Sequence, residues 1–308
     1  MIPLDEIRHA ASIIASEAVR TPVRRADELD ALVEANVQCK DESHQRSGSF
    51  KFRGAFNRLS AIPESERRLG VVAVSSGNHG AAVACAAQIL GMDATVHIPV
   101  DVAPAKQSLI EHFGARIVMF DRSTPDREAV ARQQVSDTGA TFVHPFEDPA
   151  VMRGQGTAAL ELHDEVGRLD VLIVPMSGGG LMAGCGSALR QLDPHCELIG
   201  VEPTDADDTR RSFAAGERVT ISPPSTIADG LAVTSPGAAT FAINRHLVDD
   251  VVTVTDEQLV DAMRIAERML GRRLEPSGVA GLSALLSDRG RFTGRRVGII
   301  LSGGNIDT

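Results

Sequence analysis

Gly70-Val71-Val72-Ala73-Val74-Ser75-Ser76-Gly77-Asn78-His79-Gly80, continued by the alanine-rich run Ala81 to Leu90, sets the pattern that most of the chain repeats. Its first residues are apolar without a break, too short for a helix and lacking a polar face, as in a strand buried on both sides. A turn of small residues follows at 75–80. The alanines after it predict a helix that packs very closely. Strand, turn and helix in that order form one unit of a parallel sheet covered by helices.

The unit recurs downstream. Ala94–Pro99 reads as a strand, with a helix from about Ala105 to Phe113 closed by Gly114. Arg116–Phe120 is the next strand. The helix after it takes Thr124 as N-cap, Pro125 in its first turn and Gly139 just past its end. Thr141–His144 is another strand. On the other side of the opening stretch lie an amphipathic helix over residues 3–18 and a short strand, Val37–Lys40. Beyond it come a helix at 150–166, the strand Val171–Val174, the turn Ser177-Gly178-Gly179-Gly180 with its helix, and a strand Leu198–Val201 that ends at Glu202-Pro203. Residues 204–250 are less regular. Thr255-Asp256-Glu257-Gln258 is a capping box for a helix to about Leu270. Val297–Leu301 is the last strand and runs into Ser302-Gly303-Gly304-Asn305; no regulatory domain is expected after it.

The pattern predicts an α/β fold of two lobes, each a mainly parallel, open, twisted sheet flanked by helices. Residues 70–146 can form a small lobe of their own, and residues 1–69 with 147–308 a large one. In such folds ligands sit at the carboxyl ends of the strands. The turns 75–80, 177–180 and 302–305 all follow strands, and the loop before Lys51 can join them.

Bulk properties narrow the function. With 308 residues, 43% hydrophobic and 23% charged, the chain is an ordinary globular one. A net charge of −10 argues against a nucleic-acid binder, and the absence of Trp and Tyr against base stacking. Cys39, Cys85, Cys185 and Cys196 are dispersed, which suits reduced core thiols better than a zinc knuckle or disulfide framework. No run is long enough to span a membrane, and Met1 to Arg20 carries acids unlike a signal peptide. A cytoplasmic protein is expected.

Two features carry chemistry. Lys51 stands between Phe50 and Phe52 in Ser47-Gly48-Ser49-Phe50-Lys51-Phe52-Arg53-Gly54-Ala55, at the start of a helical pattern. Apolar neighbours and a helix N-terminus both disfavour the ammonium form, as a Schiff-base lysine requires. The alternative is a lysine whose stem lies on apolar surface with its head in water. The turn 177–180 lets backbone N–H groups approach a phosphate. Gly178-x-Gly180-x-x-Ala183 also fits a dinucleotide fingerprint, with Glu202 placed as its ribose acid. Pyridoxal 5′-phosphate instead needs a Schiff-base lysine, a phosphate cradle, a partner for its pyridine nitrogen and a carboxylate site. Lys51, the 177–181 loop, Ser302 and the 75–79 turn can supply these in turn. A dinucleotide would leave Lys51 and the 302–305 turn unexplained.

Ser49-Phe50-Lys51-Phe52-Arg53-Gly54-Ala55, Ser75-Ser76-Gly77-Asn78-His79-Gly80, Gly154-Gln155-Gly156-Thr157, the 177–181 loop and Leu301-Ser302-Gly303-Gly304-Asn305 together resemble the serine/threonine dehydratase and serine racemase family. These are pyridoxal-phosphate enzymes of the tryptophan synthase β-subunit fold. The resemblance runs in one register from Thr21-Pro22 to the C-terminus. It implies the cofactor in the cleft between the lobes, with Lys51 carrying it in a Schiff base and moving the Cα proton. Phe50 lies beside the ring, and Asn78 bonds its 3′-oxygen. Ser177, Gly178, Gly179, Gly180 and Leu181 hold the phosphate, while Ser302 meets the pyridine nitrogen. Ser75, Ser76, Asn78 and His79 receive the substrate, Ser76 facing the ring opposite Lys51 as in the racemases. Glu202, the carbonyl of Ala206 and Asp208 match a cation site found in some members, suited to Mg²⁺ or Ca²⁺; an acidic, solvated helix start is the other reading. Arg127 aligns near the racemases' substrate.

Two positions depart from the family. Phe146 follows His144-Pro145 where racemases carry a polar residue, which favours the threonine-type dehydratases. Ala81 replaces a common glutamine. The reading is therefore an L-serine or L-threonine dehydratase that releases a 2-oxo acid and ammonia, with serine racemase or 3-hydroxyaspartate dehydratase as alternatives. Family members are often dimers, so a homodimer is expected.

Overall fold

A computed structural model describes residues 1–75, 77–102, 104–121 and 129–306. Ser76, Arg127, Thr124 and Pro125 lie outside the described residues. The strands are β1 Val23–Arg24, β2 Asn36–Asp41, β3 Val71–Val74, β4 Ala94–Pro99, β5 Arg116–Phe120, β6 Thr141–Phe142, β7 Val171–Pro175, β8 Glu197–Pro203, β9 Asp250–Val254 and β10 Arg296–Leu301. They form a six-stranded sheet ordered β1-β2-β10-β7-β8-β9 and a four-stranded sheet ordered β5-β4-β3-β6. Every pairing is parallel except the edge pair β1–β2.

The unbroken apolar runs are explained by burial on both faces. In β7, Val171 and Ile173 join the core under helix Asp256–Leu270 and helix Ala280–Ser287. Leu172 and Val174 face the opposite core with helices Pro149–Val166 and Gly180–Leu192. In the four-stranded sheet Val71, Ala73, Val96 and Ile98 meet helix Asn78–Leu90, while Val72 faces Ala131 and Ala140 on the other side. Phe52, Ala55, Phe56 and Leu59 of helix Lys51–Ser60 share the first of these cores. The helix that begins with Lys51 thus packs against the four-stranded sheet's covering helix, while its first residues are tied to the six-stranded sheet.

Close helix crossings require small residues. A Cβ on Gly154 would stand 2.5 Å from the Arg53 carbonyl oxygen, and one on Gly156 2.8 Å from that of Gly184. The motif Gly154-Gln155-Gly156-Thr157 therefore lies inside a helix and serves packing between helices 51–60, 149–166 and 180–192.

Several boundaries differ from expectation. The first helix spans Leu4–Ile14 and stops early. Gln45 binds the next segment, exchanging hydrogen bonds with the Val19 backbone at 3.0 and 2.9 Å. The strand expected to reach His144 ends at Phe142, because the His144 ring Nδ1 accepts the N–H groups of Phe146 and Glu147 and folds a turn. Strand β9, helix Asp27–Val33 and helix Ala280–Ser287 have no counterpart in the sequence pattern. The last is apolar on all sides, so it has no amphipathic period to read.

Candidate active site

The loop before Lys51 is fastened to the turn after β10. Phe50 N–H donates to the Ser302 carbonyl at 3.0 Å, Gly304 N–H donates to the Gly48 carbonyl at 2.9 Å, and Ser49 bridges Gly303. Lys51 is the first residue of helix Lys51–Ser60. Its Nζ donates to the Pro145 carbonyl at 2.9 Å and lies 5.2 Å from the centre of the Phe50 ring. Burial pulls its amine down to about 8. An amine with that pKa is substantially uncharged in mildly basic solution and can attack a carbonyl.

The loop after β7 presents its N–H groups by turning its carbonyls away. Thr240 Oγ1 donates to the Gly178 carbonyl, and Asn244 Nδ2 donates to the Gly179 carbonyl at 3.0 Å. Peptide units are planar and trans, so the N–H groups of Gly179 and Gly180 point the opposite way. Gly179 has φ of +89°, and helix Gly180–Leu192 opens after it with no side-chain cap. The result is an anion cradle at a helix N-terminus. The Phe146 ring occupies the space that a Cβ on Gly178 would take. Sequence reasoning missed Thr240 and Asn244, since they lie in the irregular stretch and bear no motif. Their helix, Ala238–Asn244, is held by Glu147, whose carboxylate accepts Ala239 N–H at 3.0 Å.

On the facing side, Ser75 Oγ accepts Gly77 N–H at 3.3 Å and helix Asn78–Leu90 begins. The His79 ring is buried and bonds the Val143 carbonyl through Nε2 at 2.9 Å. Burial and then the nearby Lys51 charge push His79 down to about 3, so the ring is neutral and the proton sits on Nε2. His79 can therefore meet a carboxylate through its backbone N–H, not through a charged ring. Asn78 Nδ2 donates to Glu275 Oε1 at 2.6 Å, and Asn305 Nδ2 donates to Asn78 Oδ1 at 2.7 Å. Ser302 is buried, with Oγ 3.4 Å from the Ser277 carbonyl. Glu275 carries no motif that would single it out from sequence.

Glu202, Ala206 and Asp208 are buried together at the end of β8. Glu202 accepts the N–H groups of Thr209 and Arg210 at 3.1 and 2.9 Å. Each oxygen thus accepts one N–H at the start of helix Asp208–Ala215. Burial raises the Glu202 carboxyl to about 7, and burial with the Glu202 charge raises Asp208 to about 8. Neither Asp208 carboxylate oxygen has a hydrogen-bond partner. These are orphaned acceptors at 0% exposure, so a solvated helix start does not describe them. No group of three or more His, Cys, Asp or Glu side chains that could hold a metal occurs among the described residues. A cation here would draw on two carboxylates, a carbonyl and water.

Residues 14–303 match the model of the family described as pyridoxal-phosphate dependent enzyme. This chain belongs to that family. It is 45% identical over 302 residues to an L-threo-3-hydroxyaspartate ammonia-lyase of a Pseudomonas species, covering 98% of this chain and 95% of that one. The fold matches maize serine racemase at a TM-score of 0.94 and 40% identity, covering 99% and 94% of the two chains. It matches a T.th. threonine deaminase equally well, at 0.94 and 39% identity over 100% and 99%. These three relatives are named as an ammonia-lyase, a racemase and a deaminase. The residues of this chain fit pyridoxal phosphate: a half-buried amine of depressed pKa, a glycine cradle with outward N–H groups, and a buried hydroxyl after β10. Among the described residues no helix is long and apolar enough to cross a membrane.

Proposed function

We propose that this enzyme is an ammonia-lyase for 3-hydroxy amino acids, acting on L-threo-3-hydroxyaspartate ahead of L-serine and L-threonine. The observation that carries the reading is Lys51, a half-buried amine at the head of a helix, bonded to the Pro145 carbonyl and with its pKa lowered to about 8. Lys51 holds the cofactor, and Gly178, Gly179, Gly180 and Leu181, next to Ser177, take its phosphate. Phe50 and Asn78 flank the ring, and Ser302 meets the pyridine nitrogen. When bound, pyridoxal phosphate withdraws electrons from the substrate's α-carbon and acidifies its C–H. Lys51 Nζ, freed once the substrate amine has taken its place on the cofactor, would then take that proton as a base. Loss of the β-hydroxyl as water, followed by hydrolysis of the enamine product, gives a 2-oxo acid and ammonia with no net redox change. Ser75, Asn78 and His79 hold the α-carboxylate through the start of helix Asn78–Leu90. Ser302 is a neutral hydroxyl that does not pin a proton on the ring nitrogen, which favours elimination over transamination.

The order of substrates rests on the 45% identical relative that bears the hydroxyaspartate name. We assign the cofactor to the unit formed by residues 1–69 and 147–308 and the substrate carboxylate to residues 70–146. A divalent cation is assigned to Glu202, the Ala206 carbonyl and Asp208, supported by the partnerless Asp208 oxygens. Purified holoenzyme given each amino acid should yield oxaloacetate, pyruvate or 2-oxobutyrate. A yellow protein that releases none of the three overturns the proposal. The second reading, serine racemase, is favoured by Ser76 and by the likeness to maize serine racemase. Chiral chromatography of L-serine incubations with wild type and Ser76→Ala decides it, since a racemase should make D-serine and lose it on substitution.

A further inference from the structure

A chain of side-chain amides leads from a fixed backbone carbonyl to Asn78. Asn305 Nδ2 donates to the Ser47 carbonyl at 2.8 Å and to Asn78 Oδ1 at 2.7 Å. Asn78 Nδ2 donates to Glu275 Oε1 at 2.6 Å. Amide nitrogen and oxygen are normally hard to tell apart, but here the network assigns them. A backbone carbonyl can only accept, so Asn305 must turn its nitrogen toward Ser47. That nitrogen then requires an oxygen on Asn78. The other end of Asn78 must be a donor, because it faces a carboxylate. Flipping Asn78 would set oxygen against carboxylate on one side and nitrogen against nitrogen on the other.

Glycines make room for both ends of this chain. A Cβ on Gly48 would collide with Asn305 Oδ1, and a Cβ on Gly303 would collide with Glu275 Oε1. Glu275 itself is 5% exposed. An amide nitrogen carries two hydrogens, and Asn78 uses one on Glu275. Its second N–H is left in a single, determined direction. Asn78, Glu275 and Asn305 line one cavity of about 30 Å³ with Gly77 and Lys106.

We propose that Glu275 and Asn305 are positioning residues: between them they lock the Asn78 amide so that one Nδ2–H is held toward the ring oxygen of bound pyridoxal phosphate. The proposal rests on the cofactor reading above and is independent of the substrate. It also accounts for glycine at 48 and 303, in two motifs otherwise separated by most of the chain.

The test is a double-mutant cycle read by titrating apoenzyme with pyridoxal phosphate, without substrate. Affinity comes from equilibrium dialysis, and the environment of the ring from its visible absorption band. Glu275→Ala should weaken binding about tenfold, the equivalent of one hydrogen bond, and shift the band. Glu275→Gln keeps an acceptor of the same reach and should recover most of the loss. In an Asn78→Ala background Glu275→Ala should change neither readout further. Multiplying losses in the double variant, or a band unmoved by Glu275→Ala, would overturn the proposal. Should Glu275→Ala not fold, Asn305→Asp decides, since it keeps the size but sets an acceptor against Asn78 Oδ1. A wild-type apoenzyme that takes no cofactor onto Lys51 would instead overturn the cofactor reading. Cofactor uptake without oxo-acid formation would overturn only the substrate reading.

Discussion

Replacing Arg53 by methionine should cost this enzyme a large part of its stability. Arg53 is 0% exposed and lies in the first turn of the helix that opens with Lys51. Its guanidinium donates to Glu42 at 2.7 and 2.8 Å and to Glu161 at 2.7 and 2.8 Å. Lys40 Nζ also pairs with Glu161, at 2.7 Å. Two cations and two carboxylates make the cluster neutral, and Arg53→Met leaves it at −1 with Glu42 still buried. Breaking a buried pair from one side costs about 3–5 kcal/mol. At roughly 2 °C per kcal/mol for a chain of this size, Tm should fall by about 6–10 °C. Adding Glu42→Leu restores neutrality and should recover much of the loss.

The pH dependence has a definite sign. Burial alone would raise the Glu161 carboxyl, but hydrogen bonds and charge from Arg53 and Lys40 outweigh it and hold it below its ordinary value. A carboxyl lowered in the folded state contributes stability above its unfolded pKa of about 4.3 and loses it as pH falls through the folded value. The gap between wild type and Arg53→Met should therefore narrow on acidification from neutral pH. Urea unfolding followed by circular dichroism across that range measures it. A loss under about 1 kcal/mol, no recovery in the double variant, or a gap that widens in acid would refute the reasoning.

Three further outcomes follow from the site. In apoenzyme, the rate of Lys51 modification by an amine reagent should rise with pH and level off above a midpoint near pH 8, the value to which burial lowers it; a midpoint near the ordinary lysine value of about 10.4 would contradict the burial argument. Gly179→Ala places a Cβ 2.7 Å from Asn244 Nδ2 at a φ of +89°, which should cost about 1–2 kcal/mol in thermal unfolding and weaken phosphate retention in dialysis. Chelation by EDTA should lower Tm, since a cation at 100 times its Kd stabilises by about 2.7 kcal/mol. Asp208→Asn should abolish that sensitivity, and an identical EDTA response in both proteins would argue against the cation.

The sequence by itself determined the alternation of strands and helices, because strands buried on both faces leave continuous apolar runs and helices leave caps. The capping box at Thr255 and the strand Arg116–Phe120 stand where the residues placed them. It also marked the loops that carry Lys51, Gly178 to Gly180 and Ser302, since glycine next to a strand end is conspicuous. It could not show helix Ala280–Ser287, which has no polar face, or β9, which lies in a stretch dominated by turns. Only the tertiary structure decided what holds those loops. Thr240 and Asn244 turn the Gly178 and Gly179 carbonyls away, and Glu275 and Asn305 fix Asn78, from positions far off in the chain. Local pattern reports a residue's own burial and backbone preference; hydrogen bonds between distant segments follow from how the sheets and helices pack, and leave no periodic trace.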